Sequence, residues 1–104
     1  MEFKEGVVID NLQAQMILAL IIAEEEYKKF GTVMVITAAN NGQHMINSKH
    51  GSGRAVDLRT KTVGLGRQLV EAIQKKLKPL GYDVLFEDEA GPNEHCHIEY
   101  DPKV

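Results

Sequence analysis

Several residue types that mark particular classes of protein are scarce in this chain. Cys96 is the only cysteine among 104 residues, so an internal disulfide framework is excluded. A protein without disulfides can work in an oxidising or a reducing compartment, and the cysteine count does not decide between them. Lysine and arginine number 12 against 15 aspartates and glutamates, and the net charge of −3 gives no sign of a basic surface for nucleic acid. The composition therefore favours a protein that needs no disulfides and has no nucleic-acid partner.

Long hydrophobic runs are also missing. The most apolar stretch, residues 16–23, is far shorter than the roughly 20 residues of a membrane-spanning helix, so we expect a buried helix face and no membrane span. The first residues lack the basic stretch, apolar run and small-residue cleavage site of a secretory signal, which predicts synthesis in the cytoplasm. With 43% hydrophobic residues the chain can form one core, and we predict a single domain over residues 1–104 and a monomer.

Hydrophobic spacing predicts two helices and four strands. Asp10 is placed to cap a helix over residues 11–29, with Gly31 just past its end. β-branched residues predict a central strand over residues 32–37, buried on both faces, before a polar loop over residues 38–53. The remaining predicted elements are strands over residues 55–59, 82–87 and 95–100, and a helix over residues 66–78. This order predicts an α+β fold, with a small, mainly antiparallel sheet packed against two helices.

The four histidines, His44, His50, His95 and His97, fall in the long loop and at the start of the last strand. His95 and His97 are two apart on a predicted strand, so their side chains leave the same face and Cys96 points the other way. Catalytic zinc usually takes three protein ligands, which His50, Asp57 and His97 could supply. Spacing alone leaves open a zinc site and a set of ordinary surface or core histidines.

A motif around the second histidine carries a resemblance. Residues 48–57, Ser-Lys-His-Gly-Ser-Gly-Arg-Ala-Val-Asp, resemble the Ser-x-His-x-x-Gly-x-Ala-x-Asp signature of the zinc D-alanyl-D-alanine carboxypeptidase and L-alanyl-D-glutamate endopeptidase family. Residues 94–97, Glu-His-Cys-His, are similar to the Glu-x-x-His that supplies that family's third ligand. The resemblance covers residues 32–100. It implies a Hedgehog/D-Ala-D-Ala-peptidase-like fold and one Zn²⁺ held by His50, Asp57 and His97.

The same resemblance assigns further roles. Zinc lowers the pKa of a bound water from 15.7 to about 7, and Glu94 matches the family residue that moves the proton, with Glu87 and Glu89 as reserves. A solvated turn glutamate is the plainer interpretation of Glu94, which can reach the metal only if the strand begins with a bend or bulge. Ser48 and His95 are expected either to orient substrate or to fix a metal ligand. His44 matches a histidine of Hedgehog proteins.

One departure from the family pattern bears on activity. Many family peptidases have Thr-Ser-Gly-Tyr-Arg after the first strand, whereas residues 37–41 here are Thr-Ala-Ala-Asn-Asn. The arginine that positions substrate or stabilises the transition state is therefore missing. Gln43, His44 or Arg54 would have to supply that polar contact, or activity would fall.

The resemblance predicts hydrolysis of a peptide bond in bacterial peptidoglycan stem peptides, by an L-Ala-D-Glu endopeptidase or a D-Ala-D-Ala carboxypeptidase. The lack of a secretory signal favours an endolysin of the phage type, made in the cytoplasm and acting on the cell wall. The alternative is a non-catalytic, zinc-stabilised Hedgehog-like binding or structural module, which the missing arginine supports and Glu94 opposes. A third hypothesis is a virion component with incidental wall activity.

Overall fold

The computed structural model describes residues 1–9, 12–39, 53–61 and 63–102. This part of the chain contains two helices and five strands. The strands form one sheet in the order β1-β2-β3-β5-β4. The elements are β1 (Glu2–Phe3), α1 (Ala14–Lys29), β2 (Val35–Ala38), β3 (Ala55–Arg59), α2 (Gly66–Leu77), β4 (Tyr82–Glu87) and β5 (His95–Tyr100). Among these described strands, β1 and β2 pair in parallel and all other neighbours pair antiparallel. The predicted α+β fold with a mainly antiparallel sheet and two helices is thus confirmed.

The two faces of the sheet have different chemistry because side chains alternate along each strand. On one face, Cys96 of β5 pairs with Leu58 of β3 and Phe86 of β4. On the other, His97 pairs with Asp57 and Leu85. We call the first the core face and the second the open face. The pairing of β3, β5 and β4 therefore brings polar residues from three strands into rows on the open face.

Both helices cover the core face. They contribute about half of the buried apolar side chains, and burial of a large side chain of this kind stabilises a fold by roughly 1.5–3 kcal/mol. The buried helix residues are Met16, Ala19, Leu20, Ala23 and Tyr27 of α1, and Leu69, Val70, Ile73 and Leu77 of α2. They pack against Ile36, Val56, Leu58, Val84, Cys96 and Ile98 of the sheet. Since Cys96 is fully buried, the prediction that it points away from the histidines is confirmed.

The first helix begins later than the sequence predicts. Gln13, not Asp10, is its N-cap residue, and Asp10 lies outside the described residues. The backbone N–H of Gln13 donates to the carbonyl of Gly53 at 2.9 Å, which holds Gln13 in an extended conformation. This long-range contact ends the non-helical segment, so the helix starts at Ala14.

The first predicted strand is also displaced. The N–H of Thr32 donates to Tyr27 O, so the chain is still closing the end of α1 there and β2 starts only at Val35. The expectation of burial on both faces was wrong, because Ile36 is buried while Val35 and Thr37 are half-buried. The short parallel strand β1, which the sequence did not predict, lies at the edge beside β2.

The second half of the chain follows the predicted bounds closely. Strands β3, β4 and β5 have the predicted limits, and α2 gives way at Lys78 to a 3₁₀ turn, Lys78–Leu80. Gly81 then adopts a φ of 97°, a left-handed conformation that favours glycine and turns the chain into β4. Neither helix in the described ranges is long and apolar enough to cross a membrane.

Candidate metal centre

The centre of the open face is a contact between a carboxylate and an imidazole. Asp57 of β3 and His97 of β5 are directly opposed, and Asp57 Oδ1 accepts a hydrogen bond from His97 Nδ1 at 2.8 Å. Their side chains are 20% and 12% exposed, so the pair is accessible at the surface but not fully solvated. Two of the three predicted zinc ligands are therefore adjacent.

Glu99 completes this arrangement from the same strand. Its Oε1 accepts a hydrogen bond from His97 Nε2 at 2.8 Å, so both ring nitrogens of His97 face a carboxylate. Burial lowers the pKa of His97, but the hydrogen bonds to Asp57 and Glu99 raise it more, to about 9. Glu99 was not among the site residues predicted from the sequence, although its position two residues after His97 places both side chains on one face of β5.

His95 lies in the next row and has other partners. Its Nε2 donates to Glu87 Oε1 at 2.9 Å and lies 3.8 Å from Asp57 Oδ1. Its Nδ1 donates to the carbonyl of Asn93 at 2.7 Å. Burial lowers the pKa of His95, but the Asn93 carbonyl, Asp57 and Glu87 outweigh it and raise that pKa above its usual value. Both nitrogens of His95 are thus engaged beside the Asp57–His97 pair.

Glu94 precedes β5 and has a well-defined environment. Its Oε2 accepts a hydrogen bond from the buried Thr60 hydroxyl at 2.7 Å, and its Oε1 accepts one from the N–H of Ala90 at 2.9 Å. A methyl group added at Gly66, the first residue of α2, would lie 3.2 Å from Oε2. The carboxylate is therefore held between the end of β3, the β4–β5 turn and the start of α2.

A cleft of about 340 Å³ runs beside the Asp57–His95 side of the open face. Glu94, His95 and Asp57 line it together with three cations, Lys4, Arg59 and Lys61. Arg54, the cation that the sequence suggested as a replacement for the missing family arginine, is turned elsewhere and donates to Tyr100 O at 3.1 Å. Of the reserve carboxylates, Glu87 contacts His95, whereas Glu89 is paired with Arg67 at the surface.

The other predicted site residues fall in the long loop. His44, Ser48 and His50, and the neighbouring Gln43, lie outside the described residues. Their assignment as third ligand or supporting groups stays a prediction. The ends of the loop are placed, since Ala38 of β2 pairs with Asp57 of β3.

An acidic cluster adjoins His97. Ligand oxygens of Asp83, Glu99 and Asp101 lie within 4.8 Å of one another, and this group could hold a metal ion. Glu99 belongs both to this cluster and to the His97 contact. Metal-binding chemistry is thus available in two adjoining parts of the described open face.

The Asp57–His97 pair fits a zinc ion by its donor chemistry. Carboxylate oxygen and imidazole nitrogen are both common zinc ligands, and here the two atoms share a 2.8 Å hydrogen bond that a metal ion would replace. Histidines that bind metals usually donate their second N–H to a carboxylate, and Glu99 is placed to accept from Nε2. The residues present therefore fit a zinc ligand set in which His97 uses Nδ1.

No protein-family model matches the chain, and comparison with curated proteins and with solved structures also yields no match.

Proposed function

We propose that the chain is a zinc-dependent peptidase that hydrolyses a peptide bond in the stem peptides of bacterial peptidoglycan, as a lysin of the phage type. The observation that carries the proposal is the row Asp57–His97–Glu99, in which a carboxylate and an imidazole converge and a second carboxylate holds the far side of the imidazole. Asp57 and His97 are two of the proposed ligands. His50, outside the described residues, is the third.

When bound, zinc supplies an activated water at neutral pH and polarises the scissile carbonyl. Glu94 takes the proton of the attacking water and returns it to the leaving amine. Glu94 lines the same cleft as Asp57. Its carboxylate is bonded to the buried Thr60 hydroxyl and to the N–H of Ala90, beside the start of α2, so this step requires the side chain to rotate from those partners toward the cleft.

Digestion of purified peptidoglycan tests this proposal. Zinc-loaded protein should release soluble fragments, and protein stripped by a chelator should not until zinc is restored. Mass analysis of the fragments separates the two bonds, because a carboxypeptidase releases D-alanine and an endopeptidase exposes new amino termini without it. The absence of any product from zinc-loaded, folded protein would overturn the proposal.

A non-catalytic, zinc-stabilised binding module is the second candidate. Arg54 favours it, since its guanidinium donates to the Tyr100 carbonyl and is not directed into the cleft. Zinc would then raise the thermal stability of the protein by mass action, as any ligand of the native state does, without hydrolysis of peptidoglycan.

A further inference from the structure

Three cations converge on the cleft from separate parts of the chain. The N–H of Lys4 donates to Ile36 O at 2.9 Å, which continues the parallel pairing of β1 with β2 and places Lys4 beside the cleft residue Thr37. Arg59 ends β3, and Lys61 follows two residues later, with the buried Thr60 between them. Arg59 and Lys61 both line the cleft, although Lys61 already lies in the turn that follows β3.

The backbone of Arg59 is fixed from the core. The hydroxyl of the fully buried Tyr27 donates to Arg59 O at 2.7 Å, which ties the end of β3 to α1. A cation on a fixed backbone loses less conformational entropy when a ligand binds than a cation on a flexible loop. The fixed position of Arg59 therefore favours the binding of a ligand at this cleft wall.

The cations of this wall have no ion-pair partner among the described acidic side chains. In the described part of the chain, Lys4, Arg59 and Lys61 form no ion pair, whereas other cations there do, such as Lys29 with Glu26 and Arg67 with Glu89. Two carboxylates also line the cleft, but Asp57 is bonded to His97, and Glu94 to Thr60 and Ala90. A ligand with a negative group would therefore find three cations available on this wall.

We propose that Lys4, Arg59 and Lys61 form a subsite that binds a free carboxylate of a peptide ligand whose chain crosses the Asp57–His95 end of the cleft. This inference rests on the proposed function, which supplies peptides rich in free carboxylates. An arginine grips a carboxylate through paired N–H donors, and lysines add point charges. The subsite takes the place of the family arginine that residues 37–41 lack.

Direct binding tests the subsite without requiring turnover. The ligands are L-alanyl-D-glutamate and D-alanyl-D-alanine, each compared with the form in which all carboxylates are amidated, titrated into zinc-loaded protein by calorimetry. We expect at least one free acid to bind about tenfold or more tightly than its amide, because a charge-assisted hydrogen bond is lost on amidation. The preference should fall as salt is added, since both lysines are exposed.

The paired variant Lys4→Gln/Lys61→Gln should lose most of the preference for the acid, since only Arg59 remains to pair with the carboxylate. Its control is Lys75→Gln/Lys78→Gln, which removes the same charge from a separate cleft of about 660 Å³ on α2 and should keep the preference. Equal binding of acid and amide by the wild type, or an undiminished preference in Lys4→Gln/Lys61→Gln, overturns the subsite. A preference without hydrolysis of peptidoglycan upholds the subsite and overturns the proposed peptidase, whereas hydrolysis without a preference does the reverse.

Discussion

Nδ1 of His97 lies 2.8 Å from Oδ1 of Asp57 because the two residues oppose each other across the β3–β5 ladder. His95, two residues earlier, opposes Arg59 and is bound instead by Asn93 and Glu87. Two histidines on the same face of one strand are thus in different environments, and substitutions can separate their roles.

The first prediction distinguishes these histidines by metal content. His97→Ala should lose stoichiometric zinc, because it removes a nitrogen aimed at Asp57. His95→Ala is the matched control and should retain zinc, because His95 is hydrogen-bonded to Asn93 and Glu87 and not to the proposed ligand Asp57. Metal analysis after dialysis, with circular dichroism to confirm folding, measures the difference. One zinc per chain in His97→Ala would contradict the assignment.

The second prediction concerns Glu99. Groups that orient a metal-binding histidine typically contribute about 10–100-fold to metal affinity, so Glu99→Ala should weaken zinc binding by that order. Glu87→Ala makes the same change beside His95 and should leave the affinity within about twofold of wild type. Competition titration with a chromophoric chelator gives both constants. Equal effects of the two substitutions would mean that Glu99 does not orient a ligand.

The third prediction concerns proton transfer. Glu94→Gln should retain zinc and lose about 10²–10⁴-fold in the rate of peptidoglycan hydrolysis, the usual contribution of general acid–base catalysis. Glu89→Gln is the control, since Glu89 is paired with Arg67 on the exposed turn and should keep activity near wild type. Activity of Glu94→Gln within a few-fold of wild type would show that Glu94 does not transfer the proton. Glu87, which contacts His95, would then be tested by the same substitution.

The fourth prediction uses the single cysteine. Complete burial raises the pKa of the Cys96 thiol above its ordinary value of 9.0, and the thiolate is the reactive form. Native protein at pH 8 should therefore not react with a thiol reagent, while denatured protein should react once per chain. Because the folded state resists ionisation, this thiol should lower the free energy of unfolding as pH rises above 9.0. Rapid labelling of native protein would show that Cys96 is not in the core.

The fifth prediction tests the link between the core and the cleft. Tyr27→Phe removes the donor to Arg59 O and should cost about 1–2 kcal/mol in the free energy of unfolding, because a partly buried carbonyl loses its hydrogen bond to the core. Tyr100→Phe is the control, since the Tyr100 hydroxyl has no hydrogen bond in the described part of the chain, and it should change stability by less than about 0.5 kcal/mol. Urea denaturation measures both. Equal stability of the two variants would show that the Tyr27 bond contributes nothing.

The sequence predicted best what local pattern determines. The bounds of β3, β4 and β5 and the opposite facing of Cys96 follow from alternation along single strands, which is visible in the chain. The sequence-based prediction was wrong where contacts between distant residues determine the structure. Gln13 is held by a hydrogen bond to Gly53, and β1 forms because two residues pair with β2. Neither contact can be recognised from the residues next to it in the sequence.

The same division applies to the site. Asp57 and His97 were predicted from a motif, and the structure places them together. Glu99 could have been found from its spacing to His97. Lys4 could not, because its position beside the cleft depends on a parallel pairing between residues more than thirty apart in the chain.

The irregularity in β2 determines how the chain leaves the sheet toward the long loop. The register shifts between Ile36 and Ala38, so Ile36 pairs with Leu58 on the core face while Ala38 pairs with Asp57 on the open face. Thr37 is the extra residue that changes the phase of the alternation. A loop transplanted between β2 and β3 by protein engineering would need to preserve this bulge, because straightening it without removing a residue would turn Ala38 to the helix-covered side of the scaffold.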